Sequence, residues 1–269
     1  MDKIAFPLFL PGLRMDRFDK AASAGADAVI LDLEDAVAAA QKGDARAAIV
    51  AHMADARPGM PVILRINASD TDWHAADLKA CAALPLAGVM LAKAERAEDC
   101  IRVAKATGKP VIALIETALG LHNAVAIAGA SVRIAFGSID YAADLGMAHA
   151  RDSLLAARSA LVLAARLGGQ AAPWDGVTTD LKDAQVITGD ARHALQLGFG
   201  GKLLIHPSQI APARQGFAPA ADDIAWARRV VAAAQVDGSA VKLDGAMVDA
   251  PVIKRAQAIL ARARAEDAA

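Results

Sequence analysis

Eight short apolar runs alternating with Ala-rich segments of helical period predict an α/β chain folded as a (β/α)8 TIM barrel with a C-terminal helical extension. At 269 residues the chain fits the usual size of such a barrel, about 250 residues. Polar residues recur where the runs end: Arg14, then Asp32 with Glu34 and Asp35, Arg65 with Asn67, Lys93, Glu116, Asp140 and His206. An open doubly wound sheet would instead gather its site at one switch point. No Gly-x-Gly-x-x-Gly or Gly-Lys-Ser/Thr phosphate cradle follows any run, so a nucleotide-binding sheet lacks its signature.

In chain order, the expected strands are Ile4–Leu10, Ala28–Leu33, Val62–Ile66, Gly88–Ala92, Val111–Ile115, Val132–Gly137, a weaker run at Gly176–Thr179, and Lys202–Ile205. Between them, Asp16–Ala24, Gly43–Ala56, Trp73–Ala83, Ala97–Thr107, Gly120–Ala128, Ser153–Leu167 and Lys182–Leu197 carry the helical period. The barrel is expected over residues 1–220, and residues 221–269 are expected to form a helical extension or lid that is not an independent domain. There a helix from Asp222 to Ala234 leads to a turn at Asp237-Gly238-Ser239, and Pro251 sits where a last helix, Val252–Arg264, begins. This tail is too short for a second domain, and it is expected to cross to a neighbouring subunit and make the active site composite.

Composition excludes several classes. Lys plus Arg total 29 against 30 Asp plus Glu, so no net field favours nucleic acid or an anionic membrane surface. Hydrophobic content is 55%, but no apolar stretch approaches membrane-spanning length. The opening Met1-Asp2-Lys3-Ile4 has no signal-peptide pattern, so the expected location is cytoplasmic. Cys81 and Cys100 lack His in metal-ligand spacing and read as inert small hydrophobes.

Glu116 closes Val111–Ile115, and Asp140 follows the run from Arg133 to Ile139. On neighbouring parallel strands both carboxylates emerge at the same sheet edge, where α/β folds place their sites. Adjacent carboxylates repel unless a cation joins them, and oxygen ligands of this kind suit Mg²⁺. Arg65, embedded in an apolar strand, needs a partner; its guanidinium suits a substrate carboxylate and equally an internal ion pair with Glu34 or Asp35. Asp32, Glu34 and Asp35 serve metal-bound water or neutralise Arg65 and Lys93. Lys93 suits an anionic substrate or a salt bridge to Glu95 or Glu116. His206 suits proton transfer or a single structural hydrogen bond, Asp144 a helix cap or a ligand, and the glycines of 198–201 a turn into the last strand.

These residues lie in motifs that occur together and in order: Leu8-Phe9-Leu10-Pro11-Gly12-Leu13-Arg14, Gly25 through Val37, Arg65-Ile66-Asn67, Ile115-Glu116-Thr117-Ala118, Gly137-Ser138-Ile139-Asp140, and Gly201 through Ile210. By them the chain resembles the citrate lyase β-subunit-like branch of the HpcH/HpaI aldolase and citrate lyase family, from Leu8 to about Leu260. The resemblance implies a Mg²⁺-dependent barrel enzyme that makes or breaks a carbon–carbon bond between a 2-oxo acid and the enolate of an acyl thioester. It implies Glu116 and Asp140 as metal ligands and Arg65 on the oxo acid's carboxylate; Arg14, Glu34 and Lys93 are the further substrate-binding candidates. The stretch Gly245–Pro251 is similar to a family segment whose Asp acts as acid or base, which makes Asp249 the candidate; by its position it also suits a cap for the helix opening near Pro251. The chain departs from many members at Ala5-Phe6, where they carry Arg-Ser, and at Ala92-Lys93, where they carry Pro-Lys.

The implied activity is that of a lyase or synthase on 3-hydroxy-3-carboxyacyl thioesters of the malyl, citramalyl or citryl type. A thioesterase acting on malyl-CoA and a citryl-carrier subunit of a citrate lyase complex are the alternatives. The implied partners are a 2-oxo acid, a CoA or acyl-carrier thioester, and copies of the chain in a homo-oligomer, trimer or hexamer.

Overall fold

A computed structural model describes residues 1, 3–54, 59–237, 241–243 and 246–267. The chain divides into two compact units, Met1–Gly216 and Phe217–Ala269.

In the first unit, β1 (Pro7–Pro11) leads through a 3-10 turn at Met15–Arg17 to α1 (Phe18–Ala22). There follow β2 (Ala28–Asp32), α2 (Lys42–Ala54), β3 (Val62–Ile66), α3 (His74–Ala83), β4 (Gly88–Leu91), α4 (Ala97–Thr107) and β5 (Val111–Ile115). Next come α5 (Ala118–His122), α6 (Ala124–Ala130), β6 (Arg133–Phe136), α7 (Ser138–Asp144), α8 (Leu155–Leu167), β7 (Trp174–Asp175), α9 (Ala184–Leu197), β8 (Gly201–Lys202) and α10 (Ile210–Phe217). The eight strands are ordered β1 to β8, each parallel to the next. Closure is made by the parallel bridge Leu8–Leu204: the Phe9 N–H donates to the Leu204 carbonyl (2.8 Å) and the Leu204 N–H to that of Pro7 (3.0 Å). The first unit is therefore a (β/α)8 TIM barrel.

Most of the strands are buried at every position because helices cover one face and the barrel interior the other, so they read as continuous apolar runs. Alternation along each strand then sorts side chains. Ile30, Ile63, Met90, Ile112, Leu114 and Trp174 pack together in one core cluster. Asp175, next to Trp174, faces the other way and meets Arg158 of α8 (2.8 Å) and Lys202 of β8 (3.2 Å). Cys81 and Cys100 are buried and unpaired, and burial pushes each thiol up to about 12, as inert residues require.

Several boundaries differ from expectation. The seventh strand lies at Trp174–Asp175 rather than Gly176–Thr179, paired with Ala135 and Gly201. The expected helix Gly120–Ala128 is two helices joined at Asn123, the first capped by Thr117, whose Oγ1 accepts the Gly120 N–H at 3.0 Å. The helix expected to end at Ala56 is described to Ala54, residues 55 and 56 lying outside the described set. Helices α7 and α10 had no expectation; both are short, and period carries little signal over so few residues. No described helix is long and apolar enough to cross a membrane.

The second unit contains α11 (Ala221–Asp237), an antiparallel ribbon of β9 (Val241–Leu243) and β10 (Ala246–Val248), and α12 (Ala250–Asp267). Ala227, Val230, Val248, Ala256 and Ile259 form its core, and Arg255 lies 5.1 Å over the Trp226 ring. The ribbon was not expected from the sequence, where three-residue strands leave no readable alternation. The expected turn at 237–239 falls largely on residues outside the described set.

Candidate active site

A cavity of about 550 Å³ opens at the carboxyl ends of the strands and is lined by Asp32, Arg65, Glu116 and Asp140 among others. Glu116 directly follows β5, and Asp140 stands in the first turn of α7, just after β6. Glu116 is 1% exposed. Its Oε1 accepts the backbone N–H of Lys93 at 2.6 Å, whereas its Oε2 is buried without a hydrogen-bond partner. Burial, with the charge of Glu34 adding to it, pushes this carboxyl up to about 8 against the opposing pull of Arg65 and Lys93. Gly137 makes the approach feasible, because a Cβ there would overlap the Glu116 carboxylate. A buried oxygen without a partner, in a cavity that a second carboxylate also lines, suits a hard divalent cation. Among the described residues no three His, Cys, Asp or Glu side chains gather into a metal site, so such a cation would complete its shell with water and substrate oxygens.

Arg65 is set by sheet register. Asp32 and Arg65 are partners across β2 and β3, and the guanidinium engages Asp32 through Nε (2.7 Å) and Nη2 (2.6 Å). Its Nη1 reaches Glu34 at 3.1 Å and Asp35 at 3.8 Å, and the group lies 4.8 Å over the Phe9 ring. The ion pair expected with Glu34 or Asp35 therefore exists, but Asp32 holds the bidentate position. Asp32 also accepts the N–H groups of Glu34 (2.8 Å) and Ala36 (3.3 Å), and the Lys42 ammonium donates to the carbonyls of Leu33 (2.8 Å) and Glu34 (2.7 Å). These bonds fix the loop after β2. Asp35, half exposed at the rim, is pushed up to about 6 by burial and by its hydrogen bond and like charge with Glu34.

The Lys93 ammonium donates to Glu34 Oε1 at 2.6 Å, and Lys93 is not among the residues lining the cavity. The expected bridge to Glu95 is not seen among the described contacts; Glu95 accepts from the Thr117 hydroxyl instead. Arg14 is paired with Asp16 (3.0 Å) and lines a neighbouring groove of about 280 Å³ with Arg17, Lys20 and His206. His206 Nδ1 is occupied by Ser208, a local bond, and Asp144 accepts the Ala118 N–H at 2.7 Å, tying the end of α7 to the start of α5. Asp249 stands in the second unit, where its carboxylate accepts the Val252 N–H at 3.2 Å and caps α12. The apolar cavity wall of Leu114, Phe136, Val177 and Leu203 was missed from sequence. Strand alternation two residues ahead of Glu116 carries the signal for Leu114.

Residues 6–207 match the family described as HpcH/HpaI aldolase/citrate lyase. A citrate lyase subunit beta-like protein of Mycobacterium tuberculosis is 42% identical over 265 residues, covering 95% of this chain and 94% of that protein. A (3S)-malyl-CoA thioesterase of Cereibacter sphaeroides is 36% identical over 269 residues, covering 96% and 94%. The crystal structure of CitE from M. tuberculosis in complex with magnesium, acetoacetate and coenzyme A superposes with a TM-score of 0.90 at 40% identity, covering 98% of this chain and 100% of that one. A citrate lyase beta subunit from the same organism, complexed with oxaloacetate and magnesium, gives 0.73 at 40% identity over 81% and 99%. With the motifs, the barrel and its acidic mouth in agreement, the chain belongs to the HpcH/HpaI aldolase/citrate lyase family.

Proposed function

We propose that this chain is a Mg²⁺-dependent lyase or synthase interconverting a 3-hydroxy-3-carboxyacyl thioester with a 2-oxo acid and an acyl thioester. The observation that carries the reading is the buried Glu116 carboxylate, one oxygen without a partner, in the same cavity as Asp140. Glu116 and Asp140 would hold the metal, which when bound polarises the oxo group of a 2-oxo acid. Arg65, already oriented by Asp32 and Glu34, presents its remaining N–H groups to the oxo acid's carboxylate without reorganising. Lys93 and Glu34 keep Glu116 and Arg65 aimed. Arg14, Arg17 and Lys20 form a basic groove suited to the anionic part of a CoA thioester, and the M. tuberculosis complex holds coenzyme A. Asp249 is the proposed acid–base group at the thioester's α-carbon, supported by the likeness of residues 245–251 to the family segment. The proposal includes a homo-oligomer, to be measured by light scattering. It also includes a cytoplasmic location, with which two unpaired cysteines agree.

The test is incubation of the pure protein with malyl-, citramalyl- and citryl-CoA and Mg²⁺. Acetyl-CoA plus the matching oxo acid is the expected outcome. Free CoA plus the hydroxy acid would establish the thioesterase reading instead, which the C. sphaeroides relative favours. Inertness toward all three would remove both and leave the carrier-dependent subunit.

A further inference from the structure

The charged side chains lining the main cavity are Asp32, Asp35, Glu116, Asp140 and Arg65, four carboxylates against one guanidinium. That guanidinium already donates to both oxygens of Asp32 and pairs with one of Glu34. The two nearby ammonium groups are also committed, Lys93 to Glu34 and Lys42 to the carbonyls of Leu33 and Glu34, and neither lines the cavity. The apolar part of the wall is Leu114, Phe136, Val177 and Leu203. Arg14 lies in the adjoining groove, tied to Asp16.

We infer that the 2-oxo acid taken by this mouth is a monocarboxylate bearing a hydrogen or small alkyl group beside its oxo carbon, not a dicarboxylate. The inference rests on the proposed function and narrows it. One carboxylate has a place, against Arg65 and the metal. A second would share the mouth with Asp35 and Asp32, with no further cation in the lining to meet it, and an anion placed among like charges without a partner is disfavoured. A methyl group on that wall is removed from water at a gain instead. The related crystal structures do not make this choice, since their ligands include acetoacetate and oxaloacetate. The lining of this chain's own cavity does.

Calorimetric titration of the Mg²⁺-loaded protein with glyoxylate, pyruvate and freshly prepared oxaloacetate tests the inference by binding. Condensation of each with acetyl-CoA, the product weighed by mass spectrometry, tests it by turnover. Oxaloacetate should be weaker by roughly tenfold or more in both affinity and kcat/KM. Ile205→Lys, which places an ammonium on the half-exposed rim, should narrow that gap by about tenfold. Oxaloacetate binding as tightly as pyruvate, or a gap that Ile205→Lys leaves unchanged in a folded protein, overturns the inference alone. Failure of all three oxo acids to bind or condense overturns the proposed function with it.

Discussion

The backbone N–H of Lys93 donates to Oε1 of Glu116 at 2.6 Å, and Lys93 is the one described non-glycine residue with a positive φ, +46°. A left-handed backbone costs an L-residue about 1–2 kcal/mol, so the turn after β4 holds a strained conformation that aims an amide at the proposed metal carboxylate. The same residue's ammonium grips Glu34, which in turn steadies Arg65.

Replacing Lys93 tests the strain directly. Lys93→Gly and Lys93→Ala both lose the ammonium, but only glycine adopts positive φ without penalty. The glycine variant should be the more stable of the two by about 0.5–1 kcal/mol in denaturant unfolding. The reverse order would show that the left-handed turn is not strained.

Glu116→Gln keeps an acceptor for the Lys93 amide while removing the ionisable group. Above about pH 8, where the Glu116 carboxyl ionises, unfolding without metal should occur at an equal or higher temperature in the variant, because an uncharged amide is easier to bury than a carboxylate. Mg²⁺ affinity, read by calorimetry, should fall by at least about tenfold, and by a similar factor in Asp140→Ala. Unchanged affinity in either variant would remove that residue from the metal site.

Asp32→Ala leaves Arg65 buried beside Glu34 but without its bidentate partner. Breaking one side of a buried pair costs about 3–5 kcal/mol, so this variant should lose a large part of the chain's stability in urea unfolding. A loss below about 1 kcal/mol would mean that Glu34 and Asp35 suffice to hold the guanidinium.

Asp175 supplies a pH dependence. Burial pushes its carboxyl up, but Lys202 and Arg158 outweigh burial and leave it below its usual 3.8. A carboxylate depressed in the folded state contributes stability that is complete above its unfolded value. That stability is lost as pH falls through the lower folded value. Melting temperature should therefore drop on acidification below about pH 4. Asp175→Asn should flatten that limb while lowering stability at neutral pH.

For Asp249→Ala, an acid–base role predicts retained oxo-acid affinity with turnover reduced by on the order of 10²-fold or more. Capping alone predicts near-normal rates and a loss of about 1 kcal/mol in stability. Single-turnover kinetics beside thermal unfolding separates the two.

The barrel and its acidic mouth were legible in the chain itself. Apolar runs in parallel strands and Ala-rich helical segments repeat with a period that sequence displays, and Glu116 and Asp140 stand at strand exits by position alone. The partner of Arg65 was not legible. Choosing Asp32 over Glu34 and Asp35 depends on the register of β2 against β3, which is a fact about two strands rather than one. Nor was the need for Gly137 visible, since it comes from a carboxylate that the neighbouring strand end brings against it.

By itself, then, the sequence determined which elements form and which charged residues reach the mouth, because local period and position along a strand set both. Only the tertiary structure decided which of those charges neutralise one another and which buried oxygen is left without a hydrogen-bond partner. Pairing in a buried, weakly screened site is settled by distances between elements far apart in the chain.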